Sequence, residues 1–78
     1  MSKVVVLGAG QWGTTMAQVL CDAGNHVLMW GRSQELVDEV NEKHTNSKYL
    51  DESVLPIGLR ATTDLKEAFE YSSIYVLA

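Results

Sequence analysis

Gly8-Ala-Gly-Gln-Trp-Gly13, set between the run Lys3-Val-Val-Val-Leu7 and a helical stretch that opens at Gln11, decides the fold. A continuous β-branched run suits a strand buried on both faces of a parallel sheet better than an alternating strand with one wet face. From Gln11 to Ala23 the period changes. Met16, Ala17, Val19, Leu20 and Ala23 recur at helical spacing, and Gly24-Asn25 follows as a C-terminal stop. His26-Val-Leu-Met-Trp30 reads as a second strand, ended by Gly31. A right-handed crossover through such a helix lays the two strands side by side and parallel.

Outward from this unit, Ser33 is placed to cap the next helix, with Glu35 at the positive end of its dipole and Leu36, Val37 and Val40 as its buried stripe. Asn41–Ile57 reads as a long polar loop that admits a short turn of helix, with Tyr49-Leu50 and Leu55-Pro56 as its apolar marks. Loops of that length in compact domains are usually functional or mobile. Leu59–Thr62 predicts a short strand. Asp64 with Glu67 predicts a capping box for a helix carrying Leu65, Ala68 and Phe69. Ile74–Ala78 is a further β-rich run. The fold class is therefore α/β: a Rossmann-type βαβ parallel sheet, incomplete at the C-terminus, because a buried strand with no turn or helix after it predicts a continuation. A sheet of at most four strands would leave that last strand as an exposed apolar edge, a site of association.

With 78 residues, 46% apolar and 21% charged, the composition is that of an ordinary globular domain. A chain this short buries only about 60% of its unfolded surface, so one unit is the upper limit. The net charge of −4 argues against nucleic-acid or anionic-membrane partners, which need a basic face. The acids of residues 35–70 read as solvated helix faces. Cys21, the lone cysteine, falls in the apolar helical pattern and reads as buried filler rather than a reactive thiol. Val4–Leu7 is too short for a signal-peptide core, and no apolar run approaches the ~20 residues of a membrane span. These features predict a reduced, cytoplasmic setting. His26 and His44 have no second ligand at metal spacing, so no metal site is expected.

The glycine string matches G-x-G-x-x-G in the one context that makes it specific, after a buried strand and at the start of a helix. Gly8 permits the tight turn, Gly10 lets backbone approach a pyrophosphate, and Gly13 lets the helix lie close to the sheet. The free amides of the helix N-terminus would face that anion. Sites for NAD carry an Asp or Glu about 20 residues further on, to bond the ribose hydroxyls. Here Trp30-Gly31-Arg32 offers no acid. The planar fork of Arg32 suits a 2′-phosphate, which favours NADPH, with NADH as the alternative. The other readings place Arg32 over the adenine or in solvent. Trp12 reads equally as a neighbour of the cofactor, a wall of a substrate pocket, or helix–loop packing. Tyr49 reads as a contact to the adenosine end or as an ordinary loop anchor.

The strings Val5-Val-Leu-Gly-Ala-Gly-Gln-Trp-Gly-Thr14, Val27-Leu-Met-Trp-Gly-Arg32, Tyr49-Leu50, Leu55-Pro56 and Ala61-Thr-Thr-Asp-Leu65 together resemble the N-terminal part of NAD(P)-dependent glycerol-3-phosphate dehydrogenases. The resemblance runs over essentially the whole chain. It implies that residues 1–78 are the N-terminal part of an NAD(P)-binding Rossmann domain, with the catalytic and substrate domain outside them. It implies hydride transfer between NAD(P)H and dihydroxyacetone phosphate, a phosphorylated triose, giving sn-glycerol 3-phosphate for glycerophospholipid synthesis. Cofactor positions carry over onto Gln11, Trp12, Arg32 and Tyr49 beside the three glycines, and no catalytic residue is expected among them. The family continues with a Val-Pro loop and a helical domain bearing the catalytic Lys, and admits a homodimer. Two positions depart from its pattern: Gln11 stands where Ser is usual, and Asp51 where Pro commonly follows Tyr-Leu. The rival readings are a reductase of the 6-phosphogluconate or β-hydroxyacid dehydrogenase type and a non-catalytic dinucleotide-sensing module. Trp12 and the W-G-R string speak against the first.

Overall fold

The computed structural model describes residues 2–50 and 54–78, so the Asp51 departure lies outside the described residues. Strand β1 (Lys3–Leu7) leads through the glycine turn into helix α1 (Gln11–Asp22), then β2 (His26–Trp30), α2 (Gln34–Lys43), the short α3 (Ser47–Leu50), β3 (Leu59–Thr62), α4 (Leu65–Tyr71) and β4 (Tyr75–Leu77). The four strands form one parallel sheet in the order β3-β2-β1-β4. Val5 pairs with Leu28 on one side and Tyr75 on the other, and Leu28 pairs with Arg60.

That order follows from crossover handedness. Right-handed connections step β1 to β2 to β3 in one direction with α1 and α2 on one face, and the return through α4 to β4 uses the other face. Between α1, α2 and the sheet lies the main core of Val6, Ala17, Val27, Met29, Val37, Val40, Leu55, Leu59 and Ala61. Alternation along the strands turns Val5 and Leu28 to the opposite face, and both are buried there. The doubly buried β1 expected from its β-branched run is what the structure contains.

Several boundaries differ from the sequence-based expectation. Helix α1 buries Gly13, Thr14 and Ala17, while Val19 and Ala23 of the expected stripe face solvent. Small residues bring this helix close to the sheet, so the buried stripe is narrower than apolar spacing suggests. Gly24, at φ +99°, supplies the expected stop, and the Asn25 side chain donates to the Leu20 carbonyl at 3.0 Å. Helix α2 runs past Asn41 to Lys43. Asn41 is not a loop residue: its Nδ2 donates to the Ala61 carbonyl at 2.9 Å and its Oδ1 accepts from the Ala61 amide at 2.8 Å. It thereby pairs the free edge of β3 as a neighbouring strand would. The capping box at α4 is half formed. Asp64 accepts from the amides of Lys66 and Glu67, but Glu67 accepts from the Thr62 hydroxyl, which in turn accepts from the Asp64 amide. Among the described residues no helix is long and apolar enough to cross a membrane.

Candidate functional site

The chain path reverses between β1 and β4, and in open parallel sheets ligands lie in the crevice beyond the carboxyl ends of the strands at such a point. A cavity of about 520 Å³ opens there, walled by Leu7, Trp30 and Ala78 at three strand ends and by Gly8, Ala9 and Gly10. Arg32, Ser33, Leu36 and Tyr49 complete it. Four of the seven residues singled out in the sequence, Gly8, Gly10, Arg32 and Tyr49, thus meet around one space. Gln11 and Trp12 are exposed on the first turn of α1 and do not line it. Trp12 is 64% exposed and packs against no loop among the described residues. Gly13 lies buried beneath the turn.

Each glycine of the turn has its own geometric cause. Gly8 sits at φ +134°, which side-chain-bearing residues rarely adopt, and its amide donates to the Trp30 carbonyl at 2.9 Å. A Cβ on Gly13 would stand 2.3 Å from the Gly8 carbonyl oxygen, so α1 could not sit where it does. A Cβ on Gly10 would meet nothing within 4 Å. Its glycine is not required by the protein's own packing, and the open space beside it fits the approach of a phosphate.

Helix α1 also starts differently from its neighbours. Ser33 caps α2 by accepting from the Leu36 amide, and Asp64 caps α4. Gly10 caps α1 with no side-chain hydrogen bond, and its first turn holds no acid. The first intrahelical bond runs from the Thr14 amide to the Gly10 carbonyl at 2.9 Å. The amides of Gln11, Trp12 and Gly13 precede that bond, the usual condition of a helix start that accepts an anion.

The turn is braced from behind by residues the motif does not include. Thr14 and Asn46 are fully buried. Asn46 Nδ2 donates to Thr14 Oγ1 at 2.8 Å and to the Ala9 carbonyl at 3.2 Å, and Thr14 Oγ1 donates to the same carbonyl at 3.2 Å. The Asn46 carbonyl accepts from the Tyr49 amide at 3.1 Å. Asn46 therefore joins the glycine turn to the helix that carries Tyr49. Gly31 fixes the other wall: a Cβ there would stand 2.7 Å from Ala9 Cβ, so β2 and the turn approach closely only with glycine at 31. Trp30 Nε1 donates to the Thr63 carbonyl at 3.0 Å, which anchors the end of β2 under the cavity. A buried polar pair such as Thr14 and Asn46 has no signature in a single sequence, since its meaning depends on contacts made by folding.

Among the described residues no group of three metal-ligating side chains comes together. Cys21 is a free thiol, half-buried against the core, and burial, then the charge of Asp22, pushes its pKa up. It has the character of filler, as its helical position predicts.

Comparison with known proteins reports on the same segment. The family model described as the NAD-dependent glycerol-3-phosphate dehydrogenase N-terminus matches residues 3–78. A glycerol-3-phosphate dehydrogenase [NAD(P)+] from an Exiguobacterium species is 54% identical over 99% of this chain and 23% of its own length. The Bacillus pumilus protein of that name is 49% identical over the whole chain and 23% of its length. The structure is similar to glycerol-3-phosphate dehydrogenase from Coxiella burnetii, with a TM-score of 0.87 and 35% identity over 96% of this chain and 23% of that one. It is similar also to the Saccharomyces cerevisiae enzyme, with a TM-score of 0.88 and 34% identity over 97% and 25%. The chain spans about a quarter of the length of the relatives it matches.

Proposed function

The chain belongs to the NAD-dependent glycerol-3-phosphate dehydrogenase N-terminus family, and from that premise we propose that its residues form the dinucleotide-binding part of an enzyme that interconverts dihydroxyacetone phosphate and sn-glycerol 3-phosphate. The observation that carries this reading is the uncapped N-terminus of α1, which opens behind Gly10 onto a cavity that Arg32 and Tyr49 also reach. In it the amides after Gly10 would hold the pyrophosphate, and Arg32 and Tyr49 would hold the adenosine half. When bound, the dinucleotide supplies the hydride, and the work of these residues is to hold and orient it. Gln11 and Trp12 are exposed on the first turn of α1 beside this cavity, and we keep them as cofactor contacts. We assign no proton-transfer role to any residue of the segment, and place it in a reduced, cytoplasmic setting.

The finer choice of cofactor rests on Arg32, which is exposed at the cavity rim with no acid beside it in the Trp30–Ser33 turn. An aspartate here would accept from ribose hydroxyls, whereas a guanidinium donates to a 2′-phosphate, so NADPH is the proposed partner. Arg32→Ala in the full-length protein, titrated with both cofactors, tests it. A charge-assisted bond contributes roughly 1.5–3 kcal/mol, so NADPH should weaken about 10- to 150-fold while NADH changes far less. Equal losses would refute the NADPH assignment. Absence of dihydroxyacetone-phosphate-dependent NADPH oxidation, with cofactor binding retained, would instead favour a sensing module.

A further inference from the structure

We propose that Glu39 is a positioning residue for the cofactor site: its carboxylate sets the place of Tyr49, which it does not touch. This deepens the reading above and rests on its assignment of Tyr49 to the cofactor wall.

Glu39 lies on α2 and is partly buried. Its Oε2 accepts from Thr45 Oγ1 at 2.6 Å and from the Ser47 amide at 2.8 Å, and its Oε1 accepts from Ser47 Oγ at 3.1 Å. Three donors thus converge on one carboxylate from the two ends of a three-residue stretch. Ser47 is the first residue of α3, and Tyr49 stands in that helix two residues later. The same carboxylate is held in its charged form, below the usual carboxylate range, by the Thr45 hydroxyl first and then the Ser47 amide. Lys43 adds to this and partial burial opposes it. Glu35, Asp38 and Glu42 on α2 line the same cleft, and Lys48 lies on α3 beyond Ser47.

A helix of four residues cannot hold its own geometry. Its fixed points must come from its flanks, and besides the Asn46 side chain's bonds to Ala9 and Thr14 the described residues provide three. The Asn46 carbonyl accepts from Tyr49, Thr45 pairs antiparallel with Val54, and Glu39 grips both sides of Asn46. Among the hydrogen bonds of the described residues, the last ties α3 to α2, and α2 brings Leu36, with Ser33 at its start, to the cavity wall. Glu39 thus helps to set the distance between Tyr49 and that wall, beside the brace that the Asn46 side chain makes to the glycine turn.

The test is a coupling measurement in the full-length protein, with NADPH as titrant. Wild type, Glu39→Ala, Tyr49→Ala and the double variant are compared for NADPH affinity, with a melting curve for each. Glu39→Ala should weaken binding roughly 5- to 30-fold in the presence of Tyr49 and change it little in its absence, because residues that act through one another are not additive. In turnover the loss should fall on KM for the dinucleotide and leave kcat unchanged. The same weakening in both backgrounds, or none in either, overturns the proposal. Binding unchanged by Tyr49→Ala overturns the placement of Tyr49 itself, a failure distinct from that of the clasp. If Glu39→Ala melts well below wild type, Glu39→Gln replaces it in the cycle. The amide keeps the side chain's size but turns one acceptor into a donor facing Thr45 or Ser47.

Discussion

Alanine at Gly10 and at Gly13 should separate two roles that one motif conceals. At Gly13 the added Cβ would stand 2.3 Å from the Gly8 carbonyl oxygen, 2.8 Å from its carbon and 3.2 Å from Ala78 Cβ. Two of these three atoms are backbone, so no rotamer relieves the clash. The start of α1 must lift by about 1 Å, and overpacking of this kind typically costs about 1–3 kcal/mol. The lift also carries the amides after Gly10 away from the pyrophosphate. At Gly10 the Cβ meets nothing within 4 Å, and the residue's φ of −74° is one alanine adopts freely. The cofactor-free protein should tolerate Gly10→Ala with only the modest loss of a helix cap, on the order of 1 kcal/mol or less. A methyl in the space where a phosphate lies should nonetheless weaken the dinucleotide by about tenfold or more, the scale of one charge-assisted hydrogen bond. Thermal melts without cofactor and NADPH titrations of both variants give the four numbers. Gly13→Ala should fall in both assays, and Gly10→Ala chiefly in the second. If Gly10→Ala binds NADPH as wild type does, the pyrophosphate does not lie against this turn.

The remaining predictions concern the brace and the thiol. Asn46→Ala removes two hydrogen bonds from a fully buried pair, so full-length protein should lose about 1–3 kcal/mol by denaturant melt and bind NADPH less tightly. Unchanged stability would show that the Ala9 carbonyl needs no second donor. Cys21 should alkylate more slowly than a free peptide thiol at neutral pH, and its rate should rise at a higher pH than the peptide's. Its raised pKa reduces the thiolate, which is the nucleophile. Rapid labelling at neutral pH would contradict the burial that raises it.

What the sequence disclosed and what it concealed divide along physical lines. Gly8 and Gly13 are legible because backbone conformation and close approach demand glycine locally, and the βαβ order follows from the change of period on either side of them. Arg32 is legible from the missing acid after β2 and Tyr49 as an aromatic mark in a polar loop, both also implied by the resemblance, and the structure brings them to one cavity. Asn41 misled because a polar residue after an apolar stripe resembles a helix end. It is polar because it pairs the edge of β3, a contact twenty residues away. Val19 is misleading for the opposite reason: it is apolar, yet it lies on the side of α1 away from the buried stripe of Gly13, Thr14 and Ala17. Gly31 reads in the sequence as a strand end and part of the W-G-R string, and only the fold shows that Ala9 leaves no space for a Cβ there. Neither the Asn41 nor the Gly31 contact lives in a window of ten residues.

The glycine turn is held by the protein's own contacts on several sides. The Ala9 carbonyl takes donors from Thr14 and Asn46, and Ala9 Cβ lies against Gly31. One alanine in the middle of the turn is thus fixed by α1, by the segment before α3 and by the end of β2. Those three elements carry, in order, the anion-facing amides, Tyr49 and Arg32. A turn held on all sides need not be ordered by the cofactor, so less of the binding energy is lost to fixing loose backbone. It also means that each wall reports on the others. Loosening Glu39 or Asn46 should be felt at the pyrophosphate as well as at the adenosine end, whereas Arg32, exposed at the rim, should act alone. Additive losses for Arg32→Ala with Asn46→Ala, and non-additive losses for Glu39→Ala with Asn46→Ala, are the pattern this geometry requires.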